Sequence, residues 1–145
     1  MAGTQFCTFY LDGLFLGVEV ARVQEVIRFQ PMTSIPRAPH EIKGLINLRG
    51  QIVTAIDLRA RLQLSEREDG RRPMNVVLRA DGGPVSLLVD EIADVLEIDD
   101  ETFEAPPGTI NGVARELVKG VYKLDSTLLL ILDADKTINQ ESAIA

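Results

Sequence analysis

Reactive side chains are few in this 145-residue chain, and their spacing argues against a catalytic centre. His40 is the only histidine and follows Pro31, Pro36 and Pro39, where an exposed loop is expected. One imidazole can neither build a His-based metal cluster nor relay a proton to a second. Cys7 is the only cysteine; beside apolar neighbours in a strand pattern it reads as buried packing, with no partner for an intrachain disulfide. Asp81-Gly82-Gly83 is a turn and not part of a GxxxxGK phosphate loop. Asp57 and Asp133 precede short helical patterns and fit N-caps better than an acid/base pair. The Asp99-Asp100-Glu101 cluster reads as solvated loop charge, since a cation site would need further ligands. Two residues look out of place. Arg49 puts a long guanidinium at a hairpin corner, before Gly50, where Asn, Asp or Gly is usual. Glu25 interrupts the apolar set Val20, Val23, Val26 and Ile27, and an ion pair between the two becomes available if the strand edge folds over the hairpin. No catalytic residue, metal or cofactor is expected. The pattern suits a protein that works through its surfaces.

The elements that carry these residues come twice. Asp12-Gly13, a strand through Val18 and Val20, and Val23-Gln24-Glu25-Val26-Ile27 return 69 positions later as Asp81-Gly82, Leu87 and Val89, and Ile92-Ala93-Asp94-Val95-Leu96. Lys43-Gly44, Leu48, Ile52 and Asp57 return 76 positions later as Lys119-Gly120, Leu124, Leu128 and Asp133. The acidic, Pro-rich segment 99–111 absorbs the seven extra residues of the second copy. Each copy reads as hairpins of alternating residues, with Asp12-Gly13 and Arg49-Gly50 at turns that need positive φ. Residues 21–27 suggest one turn running into a strand, and 58–62 a short helix. The run 128–132 is apolar on both faces and predicts a central strand. Residues 65–73, charged and turn-rich, suggest an exposed and mobile connector. A duplicated, strand-rich unit of this size predicts two small barrels or sheets that share a core, since one alone would bury too little apolar surface.

Bulk properties narrow the partners. A net charge of −7 opposes nucleic-acid binding, which needs clustered Lys and Arg, and five Phe, two Tyr and no Trp leave little for stacking on bases. The longest purely aliphatic run, 128–132, is too short to insert into a membrane, and the N-terminus has no basic or long apolar segment of the secretory kind. The cytoplasm is the expected compartment.

Ile42-Lys43-Gly44, Asn47-Leu48-Arg49-Gly50 and Asp57-Leu58-Arg59 together resemble the central signature of the CheW family of bacterial chemotaxis coupling proteins. Val23-Gln24-Glu25-Val26, Val89-Asp90, Asp94-Val95-Leu96 and the closing Gly120-Val121 to Leu132-Asp133 also fit. The resemblance covers residues 5–138 and implies an all-β fold: two packed SH3-like five-stranded barrels with short helical turns and a C-terminal helix. Lobe 1 is expected at about 12–65 and lobe 2 at about 74–133, with edge elements from the termini. It further implies a non-enzymatic adaptor, with no cofactor, that couples the cytoplasmic tip of methyl-accepting chemoreceptors to the regulatory domain of the histidine kinase CheA in membrane-associated arrays.

Carried over residue by residue, the resemblance places Val23, Glu25, Gly44, Arg49, Ile92 and Val95 around a receptor-binding groove between the lobes, while Asn47 and Gly50 hold the hairpin shape. Thr54 stands where the family often has Pro, and Ser86 where it often has Gly. A paralogue serving a non-motility pathway is one alternative. A small-molecule-binding barrel or enzyme subunit using the inter-lobe cleft is another, although the sequence offers that cleft chiefly Arg49 and Glu25.

Overall fold

The computed structural model describes residues 3–68, 70–108, 110 and 112–139. Ten strands are formed: β1 (Gly3–Leu11), β2 (Leu14–Glu19), β3 (Val23–Ile27), β4 (Ile42–Leu48), β5 (Gln51–Asp57), β6 (Met74–Leu78), β7 (Val85–Val89), β8 (Glu91–Asp99), β9 (Val118–Lys123) and β10 (Leu128–Leu132). Three short helices accompany them: α1 (Leu58–Arg61), α2 (Gly112–Leu117) and α3 (Ala134–Ile138). A single 3₁₀ turn at Val20–Arg22 leads into β3, as the pattern of 21–27 suggests. Asp57 and Asp133 cap α1 and α3, accepting from the N–H groups of Arg59 at 3.2 Å and Lys136 at 3.0 Å. Helix α2 was not foreseen. It follows a Pro-rich stretch and spans only six residues, too few for a clear helical period.

The strands form two five-stranded sheets, ordered β8-β1-β2-β10-β9 and β3-β6-β7-β5-β4. Both follow one plan. If β1–β5 are the first copy and β6–β10 the second, each sheet takes its third, fourth and fifth strands from one copy and its first hairpin from the other. The joints are parallel pairs: Leu16 opposite Leu130 and Gly17 opposite Ile131, then Val85 opposite Thr54 and Ser86 opposite Ala55. These partners are related by the same offsets of 69 and 76, so the repeat extends to the register. Sheet membership therefore cuts across the ranges 12–65 and 74–133. β2 lies in the sheet of β8–β10, and the 62–73 connector joins two strands of one sheet. Neither copy contains a complete sheet, because its own β-hairpin is paired elsewhere.

Each sheet is bent into an SH3-like barrel whose seam is spanned by a single bridge. The chain leaving β3 crosses to the opposite edge, where Thr33 and Leu45 exchange N–H···O bonds of 2.9 and 2.8 Å. Glu104 and Val121 do the same in the other barrel, at 2.9 and 2.8 Å. Glycine at the crossing makes this possible. A Cβ on Gly44 would lie 2.6 Å from the Thr33 carbonyl oxygen, and one on Gly120 would lie 1.9 Å from the Phe103 ring.

Alternation along the inner strands feeds two cores at once. Leu16 and Val18 of β2, Val76 and Leu78 of β6, and Leu130 and Leu132 of β10 enter one large cluster shared by the barrels. The intervening residues turn into the barrel interiors. Val77 and Leu88 join Ile46, Leu48, Val53 and Ala55 in one, and Leu129 and Ile131 join Phe6 and Tyr122 in the other. This explains why 128–132 is apolar on both faces. A fully buried Leu or Val contributes about 1.5–3 kcal/mol. Ser86, where the family often has Gly, is buried and donates to Asn75 Oδ1 at 2.7 Å, while Asn75 Nδ2 donates to the Arg28 carbonyl at 3.0 Å. Cys7 is buried in the shared core, and desolvation pushes its thiol pKa up.

The connector is pinned, in contrast to the mobile segment its composition suggests. Arg59 grips Asp90 with two bonds, Nε–Oδ1 at 3.0 Å and Nη2–Oδ2 at 2.6 Å, and its Nη1 donates to the Ser65 and Glu66 carbonyls. Arg67 Nε adds a bond to Asp90 Oδ1 at 3.0 Å, and the Asp12 N–H donates to Oδ2 at 2.8 Å. Asp90 thus ties the connector to the β1–β2 turn. Burial works against its charge, but the bonds from Arg59, the Asp12 N–H and Arg67 outweigh it and lower the carboxyl pKa to about 2.

Two outcomes follow from this architecture. Halves 1–69 and 70–145, prepared separately, will each lack a cooperative unfolding transition, and mixing them will restore one; calorimetry on the halves and the mixture checks this. Asp90→Asn will cost about 2–3 kcal/mol in urea unfolding at pH 7. Because the folded pKa lies below the unfolded value, the Asp90 contribution is complete above about pH 4. The gap between wild type and variant will therefore narrow as the pH falls through about 2.

Candidate functional site

The edge strands β3 and β8 occupy corresponding ends of the two sheets, and their register decides what they present. Residues directly opposite on paired strands share a face. Val23 pairs with Leu78 and Val26 with Val76, and both partners belong to the shared core. Ile92 pairs with Phe9 and Val95 with Cys7, which belong to that same core. All four side chains therefore point to the joint between the barrels. A register shift in each strand, between Val23 and Glu25 and its counterpart between Ile92 and Val95, inserts an extra residue and returns the second valine to the inner face. Val23 and Ile92 pack partly against the core. Val26 and Val95 lie farther along and stay open to solvent, at 36% and 58%. Each edge therefore carries one partly packed and one exposed apolar side chain on its core-facing side.

Glu25 faces the other way. It pairs with Val77, whose side chain fills the interior of its own barrel, so Glu25 lies beside that barrel's seam. There it meets Arg49, which reaches across from the β4–β5 corner and donates from Nη2 to Glu25 Oε2. The hydrogen bond from Arg49 holds the Glu25 carboxyl below the usual carboxylate range. Arg49 stays 69% exposed, so one face of the guanidinium remains available.

The corner has a definite shape. Leu48 pairs with Gln51, leaving Arg49 and Gly50 as a two-residue turn with φ values of 52° and 86°. Gly50 adopts this readily, whereas a side-chain-bearing residue there costs roughly 1–2 kcal/mol. Asn47 Oδ1 accepts from the Gly50 N–H at 2.9 Å and fixes the turn. Arg49 is thus held in a costly conformation, and the result is an oriented charge.

The structure brings Glu25, Asn47, Arg49 and Gly50 into one unit and turns Val23, Ile92 and Val95 to the side of the shared core. Gly44 is buried beneath the Thr33 crossing and opens directly onto neither surface. Val26, the repeat counterpart of Val95, is a further exposed apolar residue that no local sequence signal sets apart, and the partners of the Asp90 network are far apart in sequence. Among the described residues no group of three or more His, Cys, Asp or Glu could hold a metal ion.

Comparison with known proteins agrees with this fold. The family model of the CheW-like domain matches residues 5–142. The chain is 30% identical over 141 residues to the chemotaxis protein CheW of Treponema pallidum, covering 94% of this chain and 83% of that one. It is 28% identical over 141 residues to the chemotaxis protein CheW of Bacillus subtilis, covering 97% and 90%. The solved scaffolding protein TtCheW of Thermoanaerobacter tengcongensis superposes with a TM-score of 0.81 at 29% identity, covering 91% of this chain and 90% of that one. Duplicated strands, paired barrels and family match converge: the chain belongs to the CheW-like domain family.

Proposed function

We propose that the chain is a non-enzymatic chemotaxis adaptor that couples methyl-accepting chemoreceptors to the histidine kinase CheA. The observation that carries this reading is that Val23 and Val26 on one edge strand, and Ile92 and Val95 on the other, face the core side and leave Val26 and Val95 exposed; we read them as one apolar strip. Such a strip suits the apolar face of a helix, with anchors spaced by one turn. The helical tip of a receptor is the partner of that shape. Arg49, held by Glu25 and by the strained turn, supplies direction at the neighbouring seam. Burying the exposed part of Val95 contributes on the order of 1 kcal/mol, so affinity rests on several such contacts and not on one anchor. Gly44 and Asn47 act indirectly, one by letting the seam close and the other by shaping the corner.

Membership of a scaffolding family supports work through contact, and no described helix is long and apolar enough to cross a membrane. The adaptor acts in the cytoplasm, recruited to receptors in the membrane.

Purified protein will bind both a receptor-tip fragment and the CheA regulatory domain, and it will raise CheA autophosphorylation only when receptor and adaptor are both present. Failure to bind either at low salt contradicts the adaptor reading. Arg49→Asp will weaken receptor binding about tenfold while leaving the thermal transition in place, as loss of an oriented interfacial charge does. Unchanged receptor binding would make Arg49 a solvated turn residue.

A further inference from the structure

Each edge strand carries one extra residue, and that residue decides which way its second valine faces. The ladder shifts between Val23 and Glu25 in β3, and between Ile92 and Val95 in β8. Without the shift, the period of two would turn Val26 and Val95 away from the core side. A bulge interrupts the ladder bonds, so the backbone there needs partners from elsewhere. The two copies supply them differently.

In β8 the partner comes from inside the barrel. Thr8 stands between Cys7 and Phe9, opposite the irregular stretch of β8. Its neighbours belong to the shared core, so Thr8 points into the barrel, where it is fully buried. Its hydroxyl donates to the Asp94 carbonyl, within the bulge. The repeat counterpart of Thr8, 69 positions on, is Val77, which has no side-chain donor.

In β3 the partners come from the strand end. Arg79 directly follows β6, and its Nη1 donates to the carbonyls of Ala21 at 3.0 Å and Val23 at 2.7 Å. The Arg79 N–H donates to the Arg22 carbonyl at 2.8 Å, and Arg22 Nη2 donates to the Arg79 carbonyl at 3.0 Å. Residue 79 is thus bonded to each of the three residues that run into the bulge. Arg22 is steadied in turn by Asp135 of α3, at 2.9 Å. The counterpart of Arg79 is Tyr10, whose ring instead packs beside Phe15 with centroids 5.0 Å apart. Arg79 is exposed and belongs to none of the core clusters, so its bonds fix local geometry more than global stability.

On the adaptor reading, in which these two edges meet the receptor, we propose that Arg79 and Thr8 are positioning residues of the site. Arg79 holds the β3 bulge from outside and so sets the facing of Val26 and of Glu25, the partner of Arg49. Thr8 holds the β8 bulge from within and sets the facing of Val95. Both act through the backbone and not by touching the receptor.

Amide hydrogen exchange on the free full chain, followed by titration with a receptor-tip fragment, tests this. Arg79→Ala will speed exchange about tenfold or more at residues 23–26, leave β8 and β9 at wild-type rates and keep the thermal transition in place. Thr8→Val, which keeps the side-chain shape, will speed exchange at 93–95 and not at 23–26. Each variant will bind the fragment about three- to tenfold more weakly. In a Val26→Ala background the effect of Arg79→Ala on binding will largely vanish, because Arg79 acts through that edge; a general loss of stability would add to it instead. Unchanged exchange at the bulge of either variant, equal binding by Arg79→Ala, or additive effects of Arg79→Ala and Val26→Ala overturns the proposal. A wild-type chain that does not bind the fragment contradicts the adaptor reading instead, and the exchange rates then still decide whether the bulges depend on Arg79 and Thr8.

Discussion

Two short parallel pairings, β2 with β10 and β7 with β5, hold the molecule in its present form. Each joins the first hairpin of one repeat to the last strands of the other. Without them the chain is two incomplete sheets, a two-stranded ribbon beside three strands, and such fragments bury too little surface to persist in water. The pairings are short, and their support comes from the faces above and below. Leu16, Leu87, Ile56 and Leu130 fill the shared core, while the residues between them fill the barrel interiors. Two barrels that share strands in this way cannot swing freely against each other.

The strand exchange also explains where the exposed apolar edges lie. It sends the third strand of each copy, β3 or β8, to one end of its sheet, on the side of the joint. Extra residues in both strands then return Val26 and Val95 to the face of the core, where the packing has ended. Duplication has thus produced two similar apolar edges on either side of one joint. The charge is not duplicated. Residue 49 is an arginine held at positive φ and tied to Glu25, whereas the corresponding corner of the second barrel carries Asp125 and Ser126. The apolar strip is nearly symmetric, and the electrostatics give it direction.

Much of this is legible in the sequence, for identifiable reasons. The repeat, the Asp12-Gly13 and Arg49-Gly50 turns, the caps at Asp57 and Asp133 and the doubly apolar strand 128–132 all follow from local pattern and turn chemistry. The pairing of Glu25 with Arg49 is suggested by two residues that break their surroundings. Strand exchange is different. A copy that folded on itself would show the same alternation and the same turns, so local pattern alone points to the ranges 12–65 and 74–133. Only long-range register separates the alternatives. The 65–73 connector misled for a related reason: its charges look solvated until Asp90, far along the chain, is seen to collect Arg59 and Arg67. The exposure of Val26 depends on where the core ends, which composition does not encode.

The central claim is the exchange of hairpins between the two copies, and cross-strand nuclear Overhauser effects test it most directly. The account predicts close backbone proton contacts between Ala55 and Ser86, and between Gly17 and Ile131, in the isolated monomeric protein. Contacts that instead join β2 to β5 and β7 to β10 would mean that each copy folds on itself, and would contradict it.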